Sequence, residues 1–241
     1  MPGGGAHPHD PSCFAPRHLD ALRRATGELA FLRARGYALP GAIKLVGDRY
    51  QLRERQRLAV VRATSEAAGA TQRRARRLNP GLRPAQVWVD GFNALITVET
   101  GLRGGVLLRG IDGALRDLSG VHGTYRLNQT TDAALAALVA AFRGEGWDEV
   151  PVRWFLDRPV SNSGRLAQRV EEEAARARLP WTAEVVADAD VPLAAAAPSC
   201  AVASSDAVVL DRCPAWIDLP ALALAGHPAW VLELEGCAPA R

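Results

Sequence analysis

Short apolar runs alternate with longer amphipathic segments from residue 85 onward. These runs are rich in β-branched and aromatic residues, which is typical of buried strands. They lie at residues 86–90, 152–157, 183–187, 200–204 and 229–234. Between them, residues 130–142 and 164–179 place apolar side chains at helical spacing. Because strands separated by helices form parallel sheets, we predict an α/β domain with a mostly parallel sheet flanked by helices.

The N-terminal third has a different pattern, which predicts helices only. Residues 17–36 and 40–64 carry apolar residues near helical spacing, and the second segment divides into two helices near Gly47 and Asp48. Residues 71–84 are basic and contain two prolines, which is typical of a linker. The predicted parts are a disordered N-terminus at 1–16, a basic helical module at 17–78 and an α/β domain at 79–241.

Charge is divided unevenly between the two larger parts. Residues 1–78 contain 15 Lys and Arg against 6 Asp and Glu, a balance of +9. Residues 79–241 contain 14 against 20, a balance of −6, and the two add up to the net charge of +3. A basic module attracts polyanions by releasing their counterions. Because Lys44 is the only lysine, part of the arginine content reflects codon usage.

The composition limits the class of protein. With 48% hydrophobic and 23% charged residues, the chain has the composition of a globular protein. It contains no apolar run of the roughly 20 residues that cross a bilayer, and we recognise no signal sequence. Its four cysteines are scattered without a CxxC pair, which favours reduced thiols over zinc ligands or a disulfide framework. We expect a cytoplasmic protein that does not contact a membrane.

Three of the apolar runs end at or just before an aspartate. Asp90 ends the first run, Asp157 ends the second, and Asp206 follows the fourth. The carboxyl ends of parallel strands share one edge of a sheet, where open α/β folds bind ligands. Carboxylates gathered there repel one another unless a divalent cation joins them, and Mg²⁺ or Mn²⁺ prefers such oxygen ligands. The alternative is that each aspartate caps the helix that follows its strand.

Several segments resemble the PIN-like nucleases, in particular their NYN branch. VDGFNALI (89–96) resembles the first strand and turn of that fold, and FLDRPVSNSG (155–164) resembles its second strand. CAVASSDAVVLD (200–211) resembles the late strand followed by Ser-Asp, and WTAEVVADAD (181–190) lies where that branch carries a further acidic pair. The whole chain, including LVGDRYQLRERQR (45–57), also resembles a family of uncharacterised proteins that join such a domain to a basic helical module.

The resemblance implies metal-dependent hydrolysis of phosphodiesters. On that basis Asp90, Asp157 and Asp206 are expected to be catalytic, and together with Asp190 they are expected to hold Mg²⁺ or Mn²⁺. PIN-like enzymes often carry a further acidic residue on the helix after the first strand. The open candidates are Glu99, Asp112, Asp117 and, from the later acidic pair, Asp188. The late element lacks the second aspartate and the aromatic residue often found nearby, which leaves an inactive site as an alternative.

A second group of polar residues is expected to bind substrate. Its members are Asn93, Ser204, Ser205, Arg109, Arg116 and Asn162. The two arginines belong to the Gly-rich segment 104–126, which either lines the mouth of the site or forms an ordinary amphipathic helix from Ile111 to Leu118. His122 in this segment is either a general base or, as a lone histidine more often is, a structural or exposed residue. Asn162 precedes a helix, where free backbone N–H groups bind phosphate or the side chain caps the helix.

The arginines of the basic module support two interpretations. AIKLVGDRYQLRERQRLAVVR (42–62) has a helix, a turn and a basic helix, an arrangement that can contact nucleic acid. The alternative is a helical pair that packs on the α/β domain with its arginines exposed to solvent. We expect nucleic-acid contact, because +9 exceeds what solubility requires. The expected contact residues are Arg53, Arg55, Arg57, Arg73 and Arg74.

Functional hypotheses of different classes follow. The first is a metal-dependent PIN-like nuclease that uses Mg²⁺ or Mn²⁺ and acts on RNA rather than DNA. The second is a non-catalytic nucleic-acid-binding or regulatory protein on a degenerate PIN-like fold, and a small-nucleotide hydrolase is a third. The sequence does not determine the oligomeric state, and a homodimer is one possibility. The sequence contains no GxGxxG after the first strand, no P-loop and no GxSxG elbow, so it indicates none of those enzyme classes.

Overall fold

The protein is described by a computed structural model over residues 6–65, 67–79, 81–119 and 123–235. In chain order its elements are α1 (Asp10–Cys13), α2 (Pro16–Arg33), α3 (Leu39–Arg49), α4 (Glu54–Ala63), α5 (Ala67–Arg76), β1 (Gln86–Asp90), α6 (Gly91–Leu102), β2 (Val106–Arg109), β3 (Leu115–Asp117), α7 (Gln129–Gly144), β4 (Val152–Asp157), α8 (Ser163–Ala177), β5 (Trp181–Val186), α9 (Asp190–Ala194), β6 (Cys200–Ala203), α10 (Ala207–Arg212), α11 (Leu219–Leu224) and β7 (Trp230–Glu233). The predicted α/β class, preceded by an all-helical region, is confirmed.

Four strands form the main sheet, in the order β5-β4-β1-β6, and each pair is parallel. β1 is a central strand, because Val87 pairs with Val152 on β4 and with Ala201 on β6. All four strands lie where the apolar runs predict them, with ends shifted by up to two residues. The sheet is therefore the part of the structure that positions the predicted aspartates.

Helices cover the two faces of the main sheet unequally. Helices α6, α7, α8 and α11 pack on the face that carries Val87, Trp154 and Ala201, and this layer forms the largest hydrophobic core. On the other face, α9 and α10 pack around Phe155 and Val202 in a smaller core. Within the described residues, no helix combines the length and apolar character needed to cross a bilayer.

A second sheet of three strands, β3-β2-β7, contacts α6, and its Leu107 and Leu115 belong to the largest hydrophobic core. β2 and β3 form an antiparallel hairpin, and β7 pairs with β2 in parallel. The helix considered for residues 111–118 is wrong, because the hairpin turn requires Gly113 at a φ of 88° and the residues after it extend as β3. The predicted strand at 229–234 forms as β7, but in this second sheet rather than in the main sheet.

The N-terminal helices share a hydrophobic core with the second sheet. Leu22 and Leu29 on α2 and Val60 on α4 pack in one cluster with Leu108 on β2 and with Leu234. All five side chains are completely buried. Helices α1 to α4 therefore share a core with the second sheet, which agrees with the packing expected in the second interpretation of the basic module but does not test contact with nucleic acid.

The boundaries within this region differ from the predicted ones. The break between α3 and α4 lies at residues 50–53 rather than at Gly47 and Asp48. Gly47 is part of α3, and the absence of a side chain there makes room for the guanidinium of Arg57. Residues 10–13, in the segment predicted to be disordered, form α1, and Phe14 beside it is buried. α5 occupies 67–76 and thus includes the first part of the predicted linker.

Candidate functional site

The carboxyl ends of the four parallel strands meet at one edge of the main sheet. Asp90 is the last residue of β1 and Asp157 is the last residue of β4. β6 is followed directly by residues 204–206, and β5 by residues 187–190. We call the aspartates at this edge the acidic cluster. Its members are Asp90, Asp157, Asp188, Asp190 and Asp206.

Asp90 is the most enclosed member, with 6% of its surface exposed. It caps α6, because its Oδ1 accepts a hydrogen bond from the backbone N–H of Asn93 at 3.4 Å. Its Oδ2 accepts a shorter hydrogen bond, 2.8 Å, from the hydroxyl of Ser204. Gly91 allows the chain to leave β1 so close to β4, since a Cβ at that position would lie 2.5 Å from the side chain of Leu156. This packing explains the Asp-Gly sequence at the end of the strand.

Asn93 and residues 204–206, which we call the serine loop, hold each other in place. Oδ1 of Asn93 accepts hydrogen bonds from the backbone N–H and the hydroxyl of Ser205, both at 2.9 Å. Because a backbone N–H can only donate, this contact identifies the amide oxygen and leaves Nδ2 pointing elsewhere. Among the described residues, none accepts a hydrogen bond from Nδ2 of Asn93. The amide is thus oriented and retains one donor group.

The environment of Asp90 disfavours its negative charge. Burial raises the pKa of Asp90 from 3.8 to about 7, and the negative charges of Asp190 and Asp157 act in the same direction. The hydrogen bonds from Ser204 and Asn93 oppose this rise, but they are weaker than the loss of solvent. Asp90 therefore changes its protonation state close to neutral pH, unlike an ordinary aspartate.

Asp190 has a similar environment. The pKa of Asp190 is raised from 3.8 to about 6, mainly by burial and also by the negative charges of Asp206, Asp188 and Asp157, whereas Arg212 opposes the rise. These mutual influences mean that the aspartates lie close enough to interact electrostatically across three different strand ends. A cation at this edge would relieve the repulsion.

The capping interpretation applies to two of the three strand-end aspartates. Asp90 caps α6, and Asp206 caps α10 by accepting a hydrogen bond from the backbone N–H of Val208 at 2.7 Å. Asp157 is different, because the cap residue of the next helix is Asn162. Its Oδ1 accepts a hydrogen bond from the backbone N–H of Ala189 at 2.8 Å, which ties the end of β4 to the segment after β5.

The acidic cluster has the donor chemistry of a Mg²⁺ or Mn²⁺ site without a closed set of ligands. In the described part of the chain, ion pairs form at Asp112 and Asp218 but at none of the cluster aspartates. No group of three or more His, Cys, Asp or Glu side chains in that part is arranged around one ion position. Mg²⁺ commonly keeps several waters and takes only one or two carboxylates. The residues thus fit a hydrated ion rather than one enclosed by protein.

The two arginines predicted to bind substrate have partners within the protein. Arg109 forms an ion pair with the buried Asp218 at 2.8 Å. Arg116 donates two hydrogen bonds to Asp112, which was one of the acidic candidates, and its Nε donates to the backbone carbonyl of Ser205 at 2.9 Å. Arg116 therefore contacts the backbone of the serine loop, whereas Arg109 contacts Asp218 and not the serine loop.

Asn162 lies at the start of α8, in the left-handed region with a φ of 63°. Its side chain makes no capping hydrogen bond but donates from Nδ2 to the backbone carbonyl of Tyr125 at 2.7 Å. It thereby connects the segment after β4 with residues 123–126 rather than with the acidic cluster. His122 lies outside the described residues.

The remaining acidic candidates divide into one member of the cluster and two residues elsewhere. Glu99 is completely buried and accepts a 2.6 Å hydrogen bond from the hydroxyl of Tyr125. Asp117 accepts a hydrogen bond from the hydroxyl of Thr97 at 3.1 Å. Asp188 influences the pKa of Asp190 and so belongs to the acidic cluster.

Most arginines predicted to contact nucleic acid are paired with carboxylates of the protein itself. The pairs are Arg55 with Asp10, Arg57 with Asp48, Arg73 with Asp112 and Asp211, and Arg74 with Glu235. Arg53 donates to the hydroxyl of Ser12 at 3.2 Å. Arg73 is buried, with 7% of its surface exposed. These contacts give the arginines a role in holding the helices together, which requires no nucleic acid.

Sequence reasoning missed two exposed cations beside the acidic cluster. Arg158 directly follows Asp157, and Arg212 lies close enough to Asp190 to lower its pKa. In the described residues neither arginine forms an ion pair. Their proximity in sequence to the strand-end aspartates was the available signal.

Comparison with known proteins places the chain in a family. A family model described as Domain of unknown function (DUF5616) matches residues 80–222, more than half of the chain. The chain belongs to the DUF5616 family. The model described as Protein of unknown function (DUF434) matches residues 21–76. The whole acidic cluster therefore lies in the DUF5616 region, and Arg73 lies in the DUF434 region.

One curated relative has a similar sequence. The uncharacterised protein MJ0935 of Methanocaldococcus jannaschii is 28% identical over 155 residues, which cover 64% of this chain and 73% of that protein. No solved structure matches the chain. The expectation of a family of uncharacterised proteins with two distinct parts is thus confirmed at the level of the DUF434 and DUF5616 regions.

Proposed function

We propose that this DUF5616 protein is a metal-dependent nuclease with a PIN-like fold, which hydrolyses phosphodiesters of RNA. The observation that carries the proposal is the acidic cluster at the carboxyl edge of a parallel sheet. Burial and the negative charges of its members raise the pKa values of Asp90 and Asp190. Within the described residues, no cluster aspartate forms an ion pair that would balance its charge. The choice of a PIN-like fold and of RNA rests on the resemblance of residues 85–220 to the NYN branch.

Two aspartates are suited to hold the ion. Asp90 and Asp190 come from different strand ends, interact electrostatically, and have pKa values of about 7 and about 6. At and below these values a proton competes with a cation for the carboxylate, so metal affinity should rise as pH increases through this range. When bound, Mg²⁺ or Mn²⁺ supplies a Lewis acid and an acidified water molecule.

Other residues at the edge are suited to hold the substrate. The unpaired Nδ2 of Asn93 points away from the serine loop and can donate to a phosphate oxygen. Arg158 and Arg212 are exposed and can neutralise neighbouring phosphates of a strand. In this proposal they replace the paired N-terminal arginines as the first contacts of nucleic acid with the protein.

Isothermal titration calorimetry with Mn²⁺ tests the site directly. Wild-type protein at about pH 8, where isolated carboxylates are ionised, should bind Mn²⁺ saturably. The Asp90→Asn/Asp190→Asn variant should bind at least about tenfold more weakly. Asp132→Asn is the matched control, since among the described residues this exposed aspartate on α7 pairs with Arg169 on α8 and with no residue of the acidic cluster. No saturable binding by the wild type, even at millimolar Mn²⁺, would rule out the proposal.

A cleavage assay then tests the reaction. Single-stranded RNA and DNA oligonucleotides of the same sequence, each with a fluorescent end label, are incubated with Mn²⁺ or with EDTA. The proposal predicts metal-dependent cleavage of the RNA that the double variant loses and the Asp132→Asn control retains. Equal cleavage by wild type and double variant would point to a contaminating nuclease and would contradict the proposal.

One observation favours a second candidate, a non-catalytic nucleic-acid-binding protein on the same fold. Asp90 and Asp206 already serve as helix caps, and no three acidic side chains of the described residues surround one ion position. Such a protein should bind the labelled RNA equally well with Mn²⁺ and with EDTA. It should also keep its affinity in the Asp90→Asn/Asp190→Asn variant, which fluorescence anisotropy measures.

A further inference from the structure

Buried charged side chains connect α5 with Arg116 on β3, which contacts the serine loop. Arg73 on α5 donates a hydrogen bond from Nη1 to Oδ2 of Asp112 at 2.9 Å. Asp112 also accepts hydrogen bonds from Nη1 and Nη2 of Arg116, at 2.7 and 2.6 Å. The two guanidinium side chains are 8% exposed and the carboxylate between them is 0% exposed. Each charge depends on its neighbours, because an unpaired ion inside a protein is costly.

Arg116 continues this path into the acidic cluster. Its Nε donates to the backbone carbonyl of Ser205 at 2.9 Å. Ser205 donates to Asn93, and the preceding Ser204 donates to Asp90. An uninterrupted series of hydrogen bonds therefore runs from α5, in the DUF434 region, to the most enclosed carboxylate of the DUF5616 region.

Arg73 also holds the element that follows the serine loop. Its Nε and Nη2 donate to both carboxylate oxygens of Asp211, at 2.7 and 2.8 Å. Asp211 lies on α10, which begins directly after the serine loop. The indole N–H of Trp216, beyond α10, donates to the backbone carbonyl of Arg73 at 2.6 Å. α5 thus contacts α10 itself and the chain after it, and it reaches the serine loop through Asp112 and Arg116.

The geometry at Arg116 requires a guanidinium. Two of its nitrogens face Asp112 while the third faces Ser205, so one side chain serves partners in different directions. A lysine ammonium is a compact charge that can pair with Asp112 but cannot hold both partners in this fixed arrangement. The surroundings are tightly packed, since a Cβ on Gly110 would collide with the guanidinium of Arg116.

We propose that Arg73 and Arg116 are positioning residues of the acidic cluster, so that the helical N-terminal region forms a structural part of the site. They set the position of the serine loop, and the serine loop in turn holds Asp90 and Asn93. The inference rests on the proposed function for the metal ligand, whereas the positioning of the loop concerns the protein alone.

Arg116→Lys separates positioning from folding. The variant keeps a cation beside Asp112, which also keeps Arg73, so the ionic contacts of the fold remain. Loss of the hydrogen bond to Ser205 should release the serine loop. Hydrogen exchange of a peptide covering residues 203–209 in metal-free protein should become at least about tenfold faster, while a peptide from β4 (152–157) keeps its wild-type rate. Affinity for Mn²⁺ should fall by about tenfold.

Two further variants complete the experiment. Arg169→Lys is the matched control, because in the described part of the chain this arginine pairs with Asp132 and Glu172 and makes no contact with the serine loop, and it should behave like the wild type. Arg73→Lys is the second test variant, since lysine cannot hold Asp112 and Asp211 together; it should accelerate exchange in residues 203–209 in the same way.

The results distinguish the two proposals. The positioning role would be overturned if residues 203–209 exchanged at the wild-type rate in both Arg116→Lys and Arg73→Lys. It would also be overturned if exchange in β4 accelerated to the same extent. If wild-type protein fails to bind Mn²⁺, the proposed nuclease function fails, but the exchange rates still decide whether these arginines position the loop. Faster exchange at 203–209 together with weaker Mn²⁺ binding supports both.

Discussion

Replacing Asp90 with asparagine should change the way in which stability depends on pH. Burial raises the pKa of Asp90 from 3.8 to about 7, so the folded protein binds this proton more tightly than the unfolded chain does. The stabilising contribution is fully present below pH 3.8 and is lost as pH rises through about 7. Asparagine is uncharged at every pH and resembles the protonated acid in shape, so Asp90→Asn should not show this loss.

The expected magnitude follows from the pKa values. A difference of one pKa unit corresponds to about 1.4 kcal/mol, so the rise from 3.8 to about 7 corresponds to about 4 kcal/mol in total. Part of this stabilisation is already lost below pH 5. The free energy of unfolding should therefore fall by about 3 kcal/mol between about pH 5 and about pH 8. Asp190, whose pKa is raised to about 6, adds a loss of the same sign in both proteins, so the comparison largely cancels it.

Urea unfolding followed by tryptophan fluorescence in metal-free buffer measures this effect. The free energy of unfolding of the wild type, relative to that of Asp90→Asn, should decrease by about 3 kcal/mol from about pH 5 to about pH 8. Asp48→Asn is the control, because Lys44 and Arg57 lower the pKa of this exposed carboxyl and leave it ionised throughout that range. Parallel profiles for wild type and Asp90→Asn would refute the reasoning.

Three further substitutions have defined outcomes in the same urea assay. Ser204→Ala removes a hydrogen bond that lowers the pKa of Asp90, so it should cost about 1–3 kcal/mol at about pH 8 and less at about pH 5. Gly91→Ala should cost about 1–3 kcal/mol, because the new Cβ meets a leucine side chain on β4 at 2.5 Å. Tyr125→Phe takes a donor from the buried Glu99 and should cost about 1–3 kcal/mol.

Each of these predictions has a result that contradicts it. An equal cost of Ser204→Ala at both pH values would mean that its hydroxyl does not favour the ionised carboxylate. Gly164→Ala is the control for Gly91→Ala, because nothing lies within 4 Å of the added Cβ, and equal effects would argue against close packing at β4. Tyr37→Phe is the control for Tyr125→Phe, since Tyr37 is 56% exposed and should tolerate the change.

The basic character of the N-terminal region has an explanation within the fold. The balance of +9 over residues 1–78 suggested a polyanion as partner. In the structure, Arg73 and Arg74 on α5 pair instead with acidic residues of the C-terminal part, and Arg23 donates to the backbone of Glu233. The opposite charges of the two parts therefore meet at their interface, as expected for regions that fold together.

The sequence by itself determined the main sheet and the position of its aspartates. The length and composition of the apolar runs predict where buried strands form. Parallel strands place their carboxyl ends at one edge of the sheet, whatever the details of side-chain packing. Asp90, Asp157 and Asp206 could therefore be placed together before any coordinate was known. The main helices were also predictable, because amphipathic spacing and capping residues are local signals.

Only the tertiary structure decided which charged side chains belong to the site. Arg73, Arg55 and Glu99 look like surface residues in the sequence, yet each is buried or half-buried against a partner far away along the chain. The hairpin at residues 106–117 was also missed, because its strands are short and gain their burial from β7 and from the N-terminal helices. Local pattern fixes where strands and helices form, whereas pairing between distant charges depends on packing that no local pattern contains.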